Sequence, residues 1–328
     1  MAADTWLCAD IGGTKTLLGL ARRDDRGRLA IVRCDTFIAA QVASFDEALE
    51  RFLAACGPLS LSGACLGVAG PVDGDRVRMT NLAWDIHARD VSTRLGGVPT
   101  RLANDLEATA AGIDAVAPEQ LTTLQPGQPV ARAPQLVVAA GTGLGLASRI
   151  WNGRHYQVVP GECGHMNWAP PTAEFDALLP HLRRAAGGTR LTNEHVVSGI
   201  GLPHLYRAVA AQRGEALPEQ PVRGEDIAAR AAAGEPLAEQ VVAHFVTAYG
   251  SLAGDHALAV LARGGVFIAG GIAQKWLPQL QDGRFIRAFG DKPPYAHIAS
   301  ALPVHVVTEP ALPLLGAAVL AERLTQAA

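Results

Sequence analysis

The sequence carries little charge and no long block of either sign. Asp, Glu, Lys and Arg make up 18% of its 328 residues and the formal net charge is -3, where a globular protein usually has about a quarter. No basic stripe is present, so nucleic acid is not expected as a partner. No apolar run is long enough to cross a bilayer, because Gly, Pro and charged residues interrupt every candidate, and no membrane partner is expected either. The stretch Met1 to Asp10 has neither a positive n-region nor an apolar h-region, so it does not read as a signal peptide. Cysteine pairs are missing too. Cys8, Cys34, Cys56, Cys65 and Cys163 are odd in number, sit in apolar stretches and form no CxxC. That pattern fits reduced thiols and a cytoplasmic location. GxSxG and HExxH are absent, which leaves hydrolase chemistry no foothold. So is GxxxxGK[ST], the Walker A loop.

What is present is apolar and long. Hydrophobic residues make up 49% of the chain, and its length exceeds the usual size of one core, so two lobes are expected. Leu7 to Asp10 is a short apolar run, followed by the turn Gly12-Gly13-Thr14 and a second run, Thr16 to Ala21. Asp24-Asp25-Arg26-Gly27 turns the chain again into Arg28 to Phe37, which completes an antiparallel meander. Ser44-Phe45-Asp46-Glu47 reads as a capping box ahead of a helix. Leu61 to Val68 and Thr100 to Ala103 read as strands, with a short helix at Asp90 to Leu95 and another after Asp105.

Pro118 to Pro134, which holds Pro126, Pro129 and Pro134, reads as a connector. Beyond it the opening pattern recurs: strand Leu136 to Ala140, turn Gly141-Thr142-Gly143, strand Leu144 to Ile150, turn Trp151-Asn152-Gly153, strand His155 to Val159. A spaced internal echo of this kind points to two similar lobes facing one another. The remainder is mainly helical, at Glu225 to Ala233, Pro236 to Leu261 and Leu314 to Leu324. Gly250 and Gly254 mark kinks or close-packing points in the long helix. Gly265 to Ala269 and Val304 to Val307 are strands, and a helix is expected from about Ile272 to Leu280.

Asp10-Ile11-Gly12-Gly13-Thr14-Lys15 joins two strands. Its glycines let backbone N–H groups approach a polyphosphate. Thr14 adds a hydroxyl and Lys15 a cation, and Asp10 is placed to hold Mg2+ through water. An ordinary hairpin is the alternative. Gly141-Thr142-Gly143-Leu144-Gly145 fails as a dinucleotide fingerprint, since Leu146 stands where Gly is needed and a strand follows. It reads as a second hairpin cradle. Gly270-Gly271, between a strand and a helix, is a third glycine element where open sheets take ligands, or simply a tight turn.

Asn104-Asp105 ends a strand and opens a helix, where a carboxylate can accept a hydroxyl proton with its charge supported by helix N–H groups. An N-cap role is the plain reading. Glu162 and His165, around Cys163 and Gly164, give the acceptors and switchable donors that a polyol needs. Cys163 and His165 lack two further soft ligands, so zinc is not expected. Glu194 reads as a first-turn helix acid, and His195 beside it has no assignable role.

Seven blocks then stand in one order: LCADIGGTKTLLGLA, GVAGPVDGDRVRMTNLAWDI, LANDLEATAAG, AAGTGLGLA, VPGECGHMNWAP, NEHVVSGIGLPHLYRA and GVFIAGGI. Together they resemble the bacterial ATP-dependent glucokinases over nearly the whole chain. The resemblance implies an α/β fold of two actin-like, ribonuclease H-like domains with a substrate cleft between them. It implies a small domain of 1–115 with 308–328 and a large domain of 116–307. It also implies glucose and Mg-ATP as ligands, and a homodimer. By motif, Asn104, Asp105, Glu162, His165 and Glu194 resemble the glucose-binding set, with Asp105 as base for the 6-hydroxyl. Asp10, Ile11, Gly12, Gly13, Thr14, Gly141, Thr142 and Gly143 resemble the phosphate loops, and Gly270 and Gly271 the adenosine contact.

Two departures stand out. Lys15 replaces a common Asn, which brings the first loop nearer the broader ROK sugar kinases, whose CxCGxxGC zinc motif is absent here. Cys163 replaces Gly. The rival expectations are a kinase for mannose or fructose, a sugar-sensing regulator, and an actin-like ATPase with a protein partner. The nine residues ahead of Asp10 leave no room for the regulator's helix-turn-helix, and the Asn-Asp and Glu-x-x-His sets would have no purpose in the ATPase.

Overall fold

A computed structural model describes residues 4–79, 82–188 and 190–326; Thr80 and Asn81, inside one of the blocks quoted above, lie outside them. The chain divides into one unit of Met1–Pro118 with Ala311–Ala328 and a second of Glu119–Pro310. Among the described residues no helix is long and apolar enough to cross a membrane, and all five cysteines are free thiols.

The first unit is built on the expected meander. β1 (Trp6–Ile11), β2 (Lys15–Arg23) and β3 (Leu29–Ile38) pair antiparallel in sequence. β4 (Gly63–Val68), buried along its whole length, adds parallel to β1. A small hairpin of β5 (Arg76–Arg78) and β6 (Asp85–His87) follows, and β7 (Thr100–Asn104) closes the sheet beside β4. The order is β3-β2-β1-β4-β7. Ile11 lies opposite Val68, and Val68 opposite Asn104. The carboxyl ends of three parallel strands therefore line up along one edge.

α1 (Phe45–Cys56) buries Phe45, Ala48, Leu49 and Phe52 at helical spacing. Its cap departs from the box in one detail. Ser44 Oγ accepts from Glu47 N–H, but the Glu47 carboxylate accepts from Ala43 N–H, one residue further back than the motif requires. α2 (Ala88–Arg94) is short, and α3 (Asp105–Gly112) leaves β7 directly. The C-terminal helix, Leu312–Gln326, covers the sheet and crosses α3 backbone to backbone. A Cβ at Gly316 would collide with Ala108 O, so only glycine allows that approach. This crossing seats α3, and with it Asp105.

The second unit repeats the plan. β9 (Gln135–Ala140), β10 (Leu144–Trp151) and β11 (Tyr156–Gly161) form the meander, and β12 (Gly265–Ala269) and β13 (Val304–Val307) add in parallel. Its sheet reads β11-β10-β9-β12-β13-β8. The extra strand, β8 (Leu121–Gln125), corrects the expectation of a plain connector over Pro118 to Pro134. It pairs antiparallel to β13, a partner far away in sequence that no local pattern reveals.

Four helices follow the meander: α4 (Ala173–Ala185), α5 (Gly201–Arg213), α6 (Gly224–Ala232) and α7 (Pro236–Ala259). The helix expected from Ile272 to Leu280 is instead two short ones, α8 (Gly271–Lys275) and α9 (Leu277–Gln281). They break at Trp276, with Pro278 near the start of the second. α10 (Arg284–Gly290) packs on α7 where Gly250 and Gly254 offer no side chain, so those glycines mark close packing.

Candidate functional site

In the first unit the loop Gly12-Gly13-Thr14 closes on itself, with Gly12 N–H donating to Lys15 O (3.0 Å), and Thr14 O accepts from Ala39 N–H (2.9 Å). The N–H groups of Gly13 and Thr14 have no hydrogen-bond acceptor among the described residues, and both residues are exposed. Unused backbone donors at an exposed turn suit an anion.

Asn104 and Asp105 divide their work. Asn104 is the N-cap of α3: its Oδ1 accepts from Leu106 N–H (2.9 Å) and its Nδ2 donates to Gly70 O (3.0 Å). Asp105 is the first helical residue, and its Oδ1 accepts from the same Leu106 N–H (2.8 Å). The capping role weighed for Asp105 thus belongs to Asn104, and Asp105 is fixed beside it with helix N–H groups supporting its charge.

Asp10 lies at the same sheet edge as Asp105. Its pKa is pushed up to about 6, first by burial, then by the negative charge of Asp105, with Lys15 pulling the other way. A desolvated carboxylate beside a second one is a group that a divalent cation stabilises. Among the described residues no cluster of three or more His, Cys, Asp or Glu could hold a metal alone. The donor set therefore fits Mg2+ taken mostly by phosphate and water.

In the second unit the loop Gly141-Thr142-Gly143 has the same build. Gly141 N–H donates to Gly143 O (2.9 Å), and the loop's carbonyls at Gly141 and Thr142 accept from Gly199 and Ile200 N–H (2.8 and 3.2 Å). The N–H groups of Thr142 and Gly143 have no acceptor among the described residues. Gly270 (φ +89°) is required where it stands, since a Cβ would collide with Ala140 O at the base of this loop. Gly270 and Gly271 thus stand next to the second hairpin.

Glu194 reaches this loop directly. Its Oε2 accepts from Leu144 N–H (2.9 Å) and would lie 2.5 Å from a Cβ at Gly143. The backbone brings Glu162 and His165 alongside, through Glu194 N–H to Gly164 O (2.9 Å). Glu162 and His165 project from the turn Cys163–His165 with their side chains 89% and 65% exposed, and His165 Nε2 lies 3.8 Å from Glu162 Oε2. Burial pushes the Cys163 thiol up, so it is not a ready nucleophile. His195 Nδ1 accepts from Thr192 N–H (3.2 Å), which gives it a local turn-closing place.

The second unit therefore gathers Glu162, His165 and Glu194 beside its glycine-threonine hairpin, and the first gathers Asn104, Asp105 and Asp10 at the sheet edge that carries its own. Arg190 and Asn193 also touch the turn that carries Glu162 and His165. Sequence reading passed over both; the signal was the "NE" pair itself, whose Asn was credited with nothing.

Comparison with known proteins gives the family and the fold. The profile of the family described as Glucokinase matches residues 7–324. A glucokinase of Mesorhizobium japonicum is 37% identical over 317 residues, covering 96% of this chain and 91% of that one. A crystal structure of a glucokinase from an Antarctic psychrotroph superposes with a TM-score of 0.89 at 31% identity, over 98% and 99% of the two chains. A ROK family glucokinase from Streptomyces griseus, solved in complex with glucose and AMPPNP, shares the fold at a TM-score of 0.64 and 21% identity. That match covers 97% of this chain and 99% of the other.

Proposed function

This chain belongs to the glucokinase family, and we propose that it transfers the γ-phosphoryl group of ATP to the 6-hydroxyl of D-glucose with Asp105 as the base. Phosphorylation of glucose is the family's activity, so the enzyme is a hexose kinase. The roles of individual residues rest on one observation above all. The aligned carboxyl ends of β1, β4 and β7 put Asp10 and Asp105 on one edge, close enough for the charge of Asp105 to raise the pKa of Asp10.

Asp105 takes the proton as O6 forms its bond to the γ-phosphorus and the bond to the β,γ-bridging oxygen breaks, releasing ADP. Leu106 N–H holds one carboxylate oxygen in place, so the base is oriented before substrate arrives. The N–H groups of Gly13, Thr14, Thr142 and Gly143 donate to phosphate oxygens, where charge is spread in a loose transition state. Mg2+, held by Asp10, would supply neutralising charge to the phosphates when bound. Gly270 and Gly271 lie beside the nucleoside. Glu162, His165 and Glu194 accept and donate to sugar hydroxyls, with Asn104 contributing its remaining amide hydrogen.

Support for ATP and glucose as the substrate pair comes from the Streptomyces relative, which binds glucose and an ATP analogue. The family resemblance supports a homodimer in the cytoplasm. A coupled assay on purified protein with glucose, mannose and fructose, each with ATP, tests the reading. Glucose should give the highest kcat/KM, and no ATP-dependent phosphorylation of glucose would end it.

A further inference from the structure

Glu162 and His165 pose a problem of order. They are exposed side chains on a three-residue turn whose own hydrogen bonds are two: His165 N–H to Glu162 O (3.0 Å) and Met166 N–H to Cys163 O (3.2 Å). A turn held only so would lose conformational freedom when sugar binds, and that loss weakens affinity.

The bracing comes from 190–194. Trp168 N–H donates to Leu191 O and Asn193 N–H to Met166 O, each at 3.0 Å, with Asn167 opposite Thr192 between them. From this short ladder two side chains reach the turn's carbonyls. Asn193 Nδ2 donates to Cys163 O (2.8 Å). Arg190 donates through Nη2 to His165 O (3.2 Å) and through Nε to Asn167 Oδ1 (2.7 Å).

We propose that Arg190 and Asn193 are positioning residues for the sugar, a two-point clasp that holds Glu162 and His165 at a fixed spacing from Glu194. The proposal rests on the reading of those three as hexose ligands. Each clasp residue acts on a carbonyl of the turn, and neither needs to touch substrate. They differ in strength. Asn193 is buried, so its bond does not compete with bulk water. It borders a cavity of about 250 Å³ floored by Trp168 and Leu252, so truncating it adds space without a clash. Arg190 is exposed, and its bonds exchange with water.

Steady-state kinetics on Asn193→Ala, Arg190→Ala, Arg190→Lys and the control His165→Ala test the clasp, with melting temperature recorded for each. Loss of one positioning bond should raise the glucose KM roughly tenfold in Asn193→Ala and about threefold in Arg190→Ala. The ATP KM should stay put and kcat should change less than the glucose KM. Arg190→Lys should behave like Arg190→Ala, because an ammonium cannot serve two acceptors in a fixed fork.

An unchanged glucose KM in the Arg190 and Asn193 variants overturns the clasp. So does a joint rise of glucose and ATP KM that tracks a fall in melting temperature, which would mean general loosening. If Asn193→Ala does not fold, the surface variant Arg190→Ala decides alone. If His165→Ala also leaves the glucose KM unchanged, the sugar-site reading itself fails; if it raises that KM while the clasp variants do not, only the clasp fails.

Discussion

The two units share a plan and differ in what they hang on it. In each, three antiparallel strands are joined to two parallel ones, in the order β3-β2-β1-β4-β7 and β11-β10-β9-β12-β13, and each meander carries a glycine-threonine hairpin in which two N–H groups have no acceptor among the described residues. Around the first hairpin stand two carboxylates that repel each other, one of them desolvated. Around the second, Glu194 is engaged by Leu144 N–H, while Glu162 stands open to solvent. The difference teaches a division of labour. Under the proposed roles, charge is left under tension where a proton and a metal would be handled, and one carboxylate is tied to the backbone where hydroxyls would be recognised.

The largest effect should come from the first unit. Asp105→Ala removes the proton acceptor and should lower kcat by about 10³-fold or more, in the range general-base losses reach, measured by coupled assay. Near-normal turnover would remove Asp105 from its role and erase the contrast. Next comes Glu194→Ala in the second unit. Because this carboxylate binds a hairpin N–H, the glucose KM should rise roughly 100-fold and the ATP KM several-fold, whereas His165→Ala should move the glucose KM alone. An ATP KM unmoved by Glu194→Ala would show that Glu194 does not bridge the two functions.

The smallest effect is on stability. The pKa of Asp10 is raised in the folded state, from 3.8 to about 6. Between those values the unfolded chain ionises first, so stability falls as pH rises from about 4 to 6, and the penalty is complete above 6. Asp10→Asn removes that penalty and should stabilise the ligand-free protein at pH 7–8 by on the order of 1–3 kcal/mol, read by denaturant unfolding. The same variant should lose the acid limb near pH 6 in kcat/KM for Mg-ATP and be slow throughout. A variant no more stable than the parent would mean that the carboxylate is not desolvated.

Much of this was legible in the sequence because glycine and threonine punctuate the chain. Both hairpins, the strand ending at Asn104 and the Gly270 turn follow from local pattern, and the echo between the halves follows from the first two. What stayed hidden depends on partners far away in the chain. β8 is a strand only because β13 lies beside it. The bond from Leu144 N–H to Glu194 spans fifty residues, and Asn193 holds Cys163 O thirty residues away. The capping role weighed for Asp105 falls instead to Asn104, equally good as a cap by residue type, and the amide's second bond, to Gly70 O, favours it.

Glucose calorimetry on two variants tests the division of labour most directly. If proton transfer belongs to the first unit and sugar recognition mainly to the second, Asp105→Ala should bind glucose within about fivefold of the parent protein, while His165→Ala loses most of its affinity. Equal loss in both, or greater loss in Asp105→Ala, would contradict the account.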